Sequence, residues 1–388
     1  MAQHIYDYIV IGSGLTGLTI AAALSRETKN IALVEASDFP RGMNRGIQFP
    51  VNFENAPLMN NGLRVLPNTA SGQQVIDFLE NLLRLKLNSD VIEESPVTYE
   101  NGQLKSFLGF GDHPPEFYEE LSYFIQHEMI QLNLEPHQWT QLLFEQFKGD
   151  FFPRSYVTKF QCAEERVQNL VINGSKTLVA QNYIFTGQLS TLGILIPDEF
   201  MSFRQKSKLG KGPYWTALCL DICHNHVVTE SLAMHVLNGT TQDDLGPCVG
   251  RFQSAIQHQE DGQIQVSQWV TFLNKEDSED NEIIGHALKK IKRQIKRAYP
   301  EALEGMIQER IVVAPMIGGD GDLKLNANQT FGDLENLWIA SAPVNTQKNL
   351  IGALSQAQLV LAALGFEVKY EKTELIENIE AQNSEAVI

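Results

Sequence analysis

At 388 residues, 43% hydrophobic and 20% charged, the chain is long enough for two domains and a large core, and its composition is that of a soluble globular protein. No apolar run approaches the length of a membrane span. A formal net charge of −17 argues against nucleic acid and anionic membranes as general partners, and a small molecule is the expected one. The sequence carries no signal for an oligomeric state.

The chain opens on a strand, Asp7-Tyr8-Ile9-Val10-Ile11, that runs into the turn Gly12-Ser13-Gly14-Leu15-Thr16-Gly17. An apolar helical run, Leu18 to Leu24, follows, then a second strand, Ile31-Ala32-Leu33-Val34, ending on Glu35. Strand, G-x-G-x-x-G, helix, strand, acid is the dinucleotide-binding pattern in its full context. Gly12 suits a tight turn, Gly14 lets backbone approach a pyrophosphate, and Gly17 lets the helix pack on the strand. The helix N-terminus favours the anion, and Glu35 can accept from ribose hydroxyls. The other reading is a Rossmann-type unit whose site is degenerate. Because the strand begins at about residue 6, no cleavable signal peptide precedes it, which predicts a cytoplasmic protein.

After Ala36 comes a loop of turn formers, with Arg41, Gly42, Met43 and Arg45. Residues 47–53 alternate as a strand, and Asn60-Asn61-Gly62 marks a turn before Leu63-Arg64-Val65. Residues 71–86 carry a helical stripe, residues 88–111 read as a hairpin turning at Asn101-Gly102, and residues 115–147 read as two helices broken near Pro136. Strands follow at 156–160, 167–172, 177–179 and 183–186. Further strands are read at 215–222, 264–273, 310–313 and 337–340, with helices at 281–299 and 350–364. Residues 276–282 read as an acidic loop, and the 371–388 tail carries five Glu and one Lys. Cys162, Cys219, Cys223 and Cys248 lack C-x-x-C spacing and read as reduced core thiols, with no metal site expected. Residues 288–297 form a basic amphipathic helix, either a solvated face or a contact for an anionic partner or membrane surface.

The organisation is α/β: a Rossmann-like FAD-binding domain from 1–69, 151–199 and 316–370, with a discontinuous α+β substrate domain from 70–150 and 200–315. Several segments resemble the flavin amine oxidase superfamily, which includes protoporphyrinogen oxidases and the phytoene-desaturase type. They are Asp7 to Gly17 with Val34-Glu35-Ala36; Asn61-Gly62-Leu63-Arg64; Val157-x-x-Phe160 with Ile184-Phe185-Thr186; and Leu337-Trp338-Ile339-Ala340 with Gly352-Ala353-Leu354. The resemblance implies FAD as cofactor. It points to Gly12, Ser13, Gly14, Leu15, Thr16, Gly17, Glu35, Ala36, Arg41, Gly42, Arg45, Arg64, Val157, Thr186, Ser341, Leu350 and Ile351 as the residues that hold it.

Departures from the pattern are specific. Relatives usually carry Gly-Gly-Arg where Arg41-Gly42-Met43 stands, so Arg41 or Arg45 is left to supply the cation. They carry a carboxylate after the closing strand where Ser341-Ala342-Pro343 stands, and Thr186-Gly187-Gln188 replaces the commoner Ala-x-Pro. Each lost charged contact costs roughly 1.5–3 kcal/mol. The lysine that many amine oxidases place near the flavin has no match in Tyr214-Trp215-Thr216-Ala217-Leu218.

The expected activity is an FAD-dependent oxidoreductase that moves a hydride from an organic, hydrophobic substrate to flavin. The rival from another class is a catalytically degenerate binding or scaffold protein. A nicotinamide-dependent enzyme is the third reading, disfavoured because the closing strand and helix suit a flavin. Arg64, His235, Trp269 and the 343–349 loop with Lys348 are candidates for the substrate cavity, with core packing the alternative for His235 and Trp269. No catalytic residue is named.

Overall fold

The computed structural model describes residues 4–40, 42–51, 56, 58–209, 215–238, 246–258, 262–314 and 323–366. Arg41, Tyr214, residues 52–53 and the 371–388 tail lie outside them.

Five parallel strands form the heart of the first sheet, in the order Leu334–Ile339, Lys176–Phe185, Ile5–Ile11, Ile31–Val34 and Asp150–Phe152. Parallel strands buried on both faces need apolar residues on both. In the opening strand Ile9 and Ile11 enter one core cluster and Val10 the other. The first half of Lys176–Phe185 also closes an antiparallel meander with Arg166–Ile172 and Val157–Ala163. The helix Leu15–Leu24 is buried along its whole length, and it packs against the helices Pro136–Gln146 and Asn349–Ala363.

A second sheet runs Met306–Val313, Trp215–His224, Gly262–Asn274, Cys248–Phe252, His235–Leu237, Val97–Glu100, Gln103–Ser106. Its pairings are antiparallel except the one between His235 and Val97. The helix Asn281–Ala298 covers it, seating Ile291 and Ile295 against Leu220, Ile222 and Trp269. The apolar stripe of this basic helix is therefore spent on the sheet. Lys292 pairs with Glu309, and Lys289, Lys296 and Arg297 face solvent.

The 70–150 segment is divided between the two sheets. Its hairpin Val97–Ser106 extends the second, while the helices Ala70–Leu83 and Pro136–Gln146 share a core cluster with Leu15–Leu24. Several local expectations differ from the structure, among them the 47–53 strand, which is a strand only over Gly46–Gln48 and bends at residues 49–50. Met129–Leu132 is a strand paired with Asn88–Ile92, and Pro136 opens its helix instead of breaking one, because proline lacks only an N–H that the first turn leaves unpaired. Residues 275–279 are a short helix capped by Asn274, and Asp280 then caps the next helix, so the acidic stretch supplies caps and is not a loop. Cys162, Cys219, Cys223 and Cys248 are free thiols.

Candidate functional site

The predicted cofactor residues gather at the carboxyl ends of the parallel strands, where open α/β sheets bind ligands. Ile11 runs into Gly12, Val34 into Glu35, Phe185 into Thr186 and Ile339 toward Ser341. Backbone bonds stitch these ends together. Gly12 N donates to Val34 O at 2.8 Å, Glu35 N to Phe152 O at 2.9 Å, Thr186 N to Ile11 O at 3.0 Å and Ala340 N to Phe185 O at 2.8 Å.

Gly12 has φ +102°, a conformation side chains rarely adopt. A Cβ on Gly17 would come within 1.9 Å of Gly12 O, so the helix can lie this close to the turn only with glycine there. Gly14 differs, since a Cβ on it would meet nothing within 4 Å. No side chain caps the first turn of the helix, whose N-cap is Gly14. Free amides, a helix dipole and open space in front of them make an anion cradle. Gly42, at φ +52°, folds the following loop back over the turn: its Cβ would come to 3.1 Å from the Gly14 Cα. Arg45 is exposed and Arg41 lies outside the described residues.

Glu35 is held by three donors. Ser13 N and Ser13 Oγ donate to Oε2 at 2.8 and 2.6 Å, and Ser37 N donates to Oε1 at 2.8 Å. Burial pushes the carboxyl up, but the hydrogen bonds more than offset it and hold it below its ordinary value. It is therefore a fixed anion at neutral pH, with about one lone pair, on Oε1, left for a hydroxyl. Ala36 is exposed beside it. The Glu35 carbonyl accepts from Ser155 N at 2.8 Å, which ties the entry of the half-buried Val157 strand to this end of the site.

The Thr186 and Ser341 hydroxyls are engaged elsewhere. Thr186 Oγ1 donates to Ile11 O at 2.8 Å and braces the glycine turn. Ser341, fully buried, donates to Gly187 O at 2.6 Å and latches two strand ends together. Thr16 Oγ1 donates to Ala353 O at 3.2 Å, joining the fingerprint helix to the closing helix Asn349–Ala363.

At the far end, Leu350 and Ile351 are buried in the closing helix's first turn. Their amides face the hydroxyl of Tyr123, a residue the motif reading did not single out. That hydroxyl donates to Val65 O at 2.7 Å. Burial pushes its phenol above the ordinary value, opposed by Arg64 and by the Leu350 and Ile351 amides. A cleft of about 460 Å³ opens beside it, lined among others by Tyr123, Thr69, Lys348 and Ile351. Lys348 pairs at 3.5 Å with the buried Glu120, whose carboxyl burial raises and Lys348 lowers, with a net rise.

Arg64 donates through Nε to Asn44 Oδ1 at 3.2 Å and through Nη1 to Leu63 O at 3.0 Å. Its loop is anchored on the second sheet: Arg310 bonds Asn61 and pairs with Asp221 at 2.9 Å, while Gln268 donates to Asp221 Oδ1 at 3.1 Å. Burial raises the Asp221 carboxyl to about 6, with Arg310 and Gln268 opposing. His235 and Trp269 are core residues. The His235 ring meets Tyr299 Oη at 2.6 Å inside a cluster with Phe252 and Trp269, and burial lowers its pKa to about 4. Neither lines the cleft near Tyr123 or the cavity beside Arg64. Among the described residues no group of three His, Cys, Asp or Glu could hold a metal ion, and no helix is long and apolar enough to cross a membrane.

Residues 10–82 match the family model of an NAD(P)-binding Rossmann-like domain. No curated protein matches the sequence. Solved structures with a similar fold include an oxidoreductase from Methanosarcina mazei, at TM-score 0.64 and 11% identity, covering 92% of this chain and 99% of that one. Cyclohexylamine oxidase from Brevibacterium oxydans IH-35A aligns at TM-score 0.66 and 10% identity over 93% of this chain and 99% of its own. Reduced UDP-galactopyranose mutase aligns at 0.63 and 10%, over 94% and 96%. A mutase and an oxidase align equally well, so the fold by itself does not choose a reaction. From the glycine turn to the closing helix, the chain shares the fold of cyclohexylamine oxidase and UDP-galactopyranose mutase, and its residues 10–82 are an NAD(P)-binding Rossmann-like domain.

Proposed function

We propose that the chain is an FAD-dependent oxidoreductase acting on a small organic substrate. The observation that carries this reading is the cradle at Gly14: an uncapped helix N-terminus with open space before it, beside a carboxylate fixed in its charged form. The residues fit the adenosine diphosphate half of the cofactor. The Gly12–Gly17 backbone would take the pyrophosphate, Glu35 a ribose hydroxyl, and the Val157 strand would flank the adenine. The closing helix around Leu350 and Ile351, with its dipole, would face the ring end. Such a cofactor would supply two-electron redox chemistry to a substrate held beside it.

The chain's own part is to orient and to exclude water. The Arg310–Asp221–Gln268 network fixes the loop carrying Arg64, and Arg251 of the second sheet lines the cavity beside it. The hydroxyls of Thr186 and Ser341 serve to hold strand ends in place, which sets the spacing of the backbone groups around the cofactor.

The rival reading, a binding or scaffold protein without catalysis, is favoured by two features. Tyr123 presents its hydroxyl to the first amides of the closing helix, and Ser341 offers no carboxylate there. The visible absorption spectrum of protein purified without added cofactor tests the proposal. Flavin bands, or tight binding of FAD by calorimetry, are expected. No flavin in the preparation and no heat at saturating FAD would overturn it in favour of the rival.

A further inference from the structure

A second cavity, of about 120 Å³, lies beside Arg64, and no residue of the glycine turn lines it. Its charged lining is Arg64, Arg251 and Glu135, and its apolar wall includes Ile92, Ile130 and Leu132. Arg251 stands on the strand Cys248–Phe252, opposite Gln268. Its side chain makes no hydrogen bond or ion pair among the described residues, and its Nε is buried without a partner. Arg64 spends Nε and Nη1 on Asn44 and Leu63 and leaves Nη2 without a bond among those residues. Glu135 accepts from Asn60 Nδ2 at 2.6 Å, and burial raises its carboxyl above the ordinary value, with Arg251 and Asn60 opposing.

Among the described residues, Arg251 therefore has only the partly committed Glu135 carboxyl near it, and Arg64 has only that of Asp221, which Arg310 already pairs. A guanidinium stays charged even when buried, and a buried charge needs a partner. The planar fork matches a carboxylate, which takes two parallel N–H bonds. At about 30 Å³ per water, the cavity has room for roughly four waters, the size of a carboxylate with a short chain. The aliphatic wall suits that chain.

We propose that this cavity is a binding site for a short aliphatic monocarboxylate, gripped by Arg251 and Arg64 with its chain against Ile92, Ile130 and Leu132. The site stands on the cavity's own charges and does not depend on a flavin being bound. The ligand expected at this cavity has an apolar body and an anionic head.

The test is calorimetry on the full chain, with and without saturating FAD, using sodium isovalerate, neutral isovaleramide and isoamylamine at one ionic strength. Only isovalerate should bind, in both conditions, and Arg251→Met should weaken it at least about tenfold. Because that change takes from Glu135 the guanidinium that offsets its burial, the thermal midpoint of Arg251→Met should fall. Arg251→Lys keeps the charge but loses the fork and should weaken binding about fivefold, which carries the test should Arg251→Met fail to fold. Amide or amine binding as tight as the acid overturns the proposal, as does inorganic phosphate binding more tightly than isovalerate. So does an Arg251→Met protein that keeps full affinity, or the absence of heat at about 10 mM isovalerate. The arm without FAD separates failure of this site from failure of the flavin reading.

Discussion

The two ends of the proposed cofactor track are built differently. At the glycine turn the backbone is left open: Gly14 faces empty space, no side chain caps the helix, and Glu35 is charged and held by Ser13 and Ser37. At the closing helix the polar groups are already engaged. Ser341 is tied to Gly187 and Tyr123 sits against the Leu350 and Ile351 amides while bonding Val65. The first end is preorganised to receive a ligand, and the second must exchange contacts to do so. An ordered polar group costs little to satisfy twice, but exchanging it cancels most of the gain. Affinity in this molecule should therefore come mainly from the adenosine diphosphate end.

The glycine turn gives the largest expected effect. Gly17→Ala forces a Cβ into Gly12 O and should destabilise the fold by about 3 kcal/mol, near the upper range for overpacking. Gly14→Ala has space for its methyl and should leave stability within about 0.5 kcal/mol. Its methyl nevertheless stands where a pyrophosphate must approach, so FAD and ADP affinity should both fall about tenfold. Denaturant melts and titrations of the two variants decide the matter. Equal loss of stability in both would mean that the space before Gly14 is not open.

Glu35→Gln comes next. The amide cannot accept all three donors that the carboxylate accepts, so stability should fall by about 1–3 kcal/mol, and cofactor affinity should fall with it. The sign with pH follows from the depressed folded pKa. Glu35 contributes stability above the ordinary carboxylate pKa of about 4.3, and the contribution is lost as pH falls from there through the lower folded value. The gap between wild type and Glu35→Gln should narrow over that acidic window in parallel melts. A gap that widens there would mean that the carboxylate is not the stabilised form. Ser341→Ala, by contrast, loses one neutral bond to Gly187 and should cost about 1 kcal/mol with a smaller effect on cofactor affinity than Glu35→Gln.

The same contrast governs what could be read before folding. The glycine turn was legible because its parts are close in sequence and each has a single geometric role, with Gly12 turning the chain, Gly17 admitting the helix and Glu35 ending the second strand. The long second-sheet strands and the helix at 281–298 were legible from periodicity. Asp150–Phe152 was not, since three residues at a sheet edge carry no period, and Met129–Leu132 was hidden by the helix signal around Pro136. Tyr123 and Arg251 were invisible for another reason. Nothing local marks them, and only long-range packing brings the first to the closing helix and the second, through its pairing opposite Gln268, beside Arg64.

The smallest effect sharpens the comparison most. Tyr123→Phe keeps the buried ring but removes the hydroxyl that bonds Val65 and faces the closing helix. One neutral hydrogen bond is lost, so stability should fall by about 1 kcal/mol. The Leu350 and Ile351 amides are then free to receive a ring carbonyl without first giving up a partner. FAD affinity should rise about threefold, worth roughly 0.6 kcal/mol, while ADP affinity stays unchanged because its contacts lie at the other end. The readout is the ratio of the two constants, which cancels any general loosening of the fold. A ratio that does not move would mean that the closing helix takes no part in binding, and the track would then end at the pyrophosphate. A ratio that falls would make the Tyr123 hydroxyl itself a cofactor contact.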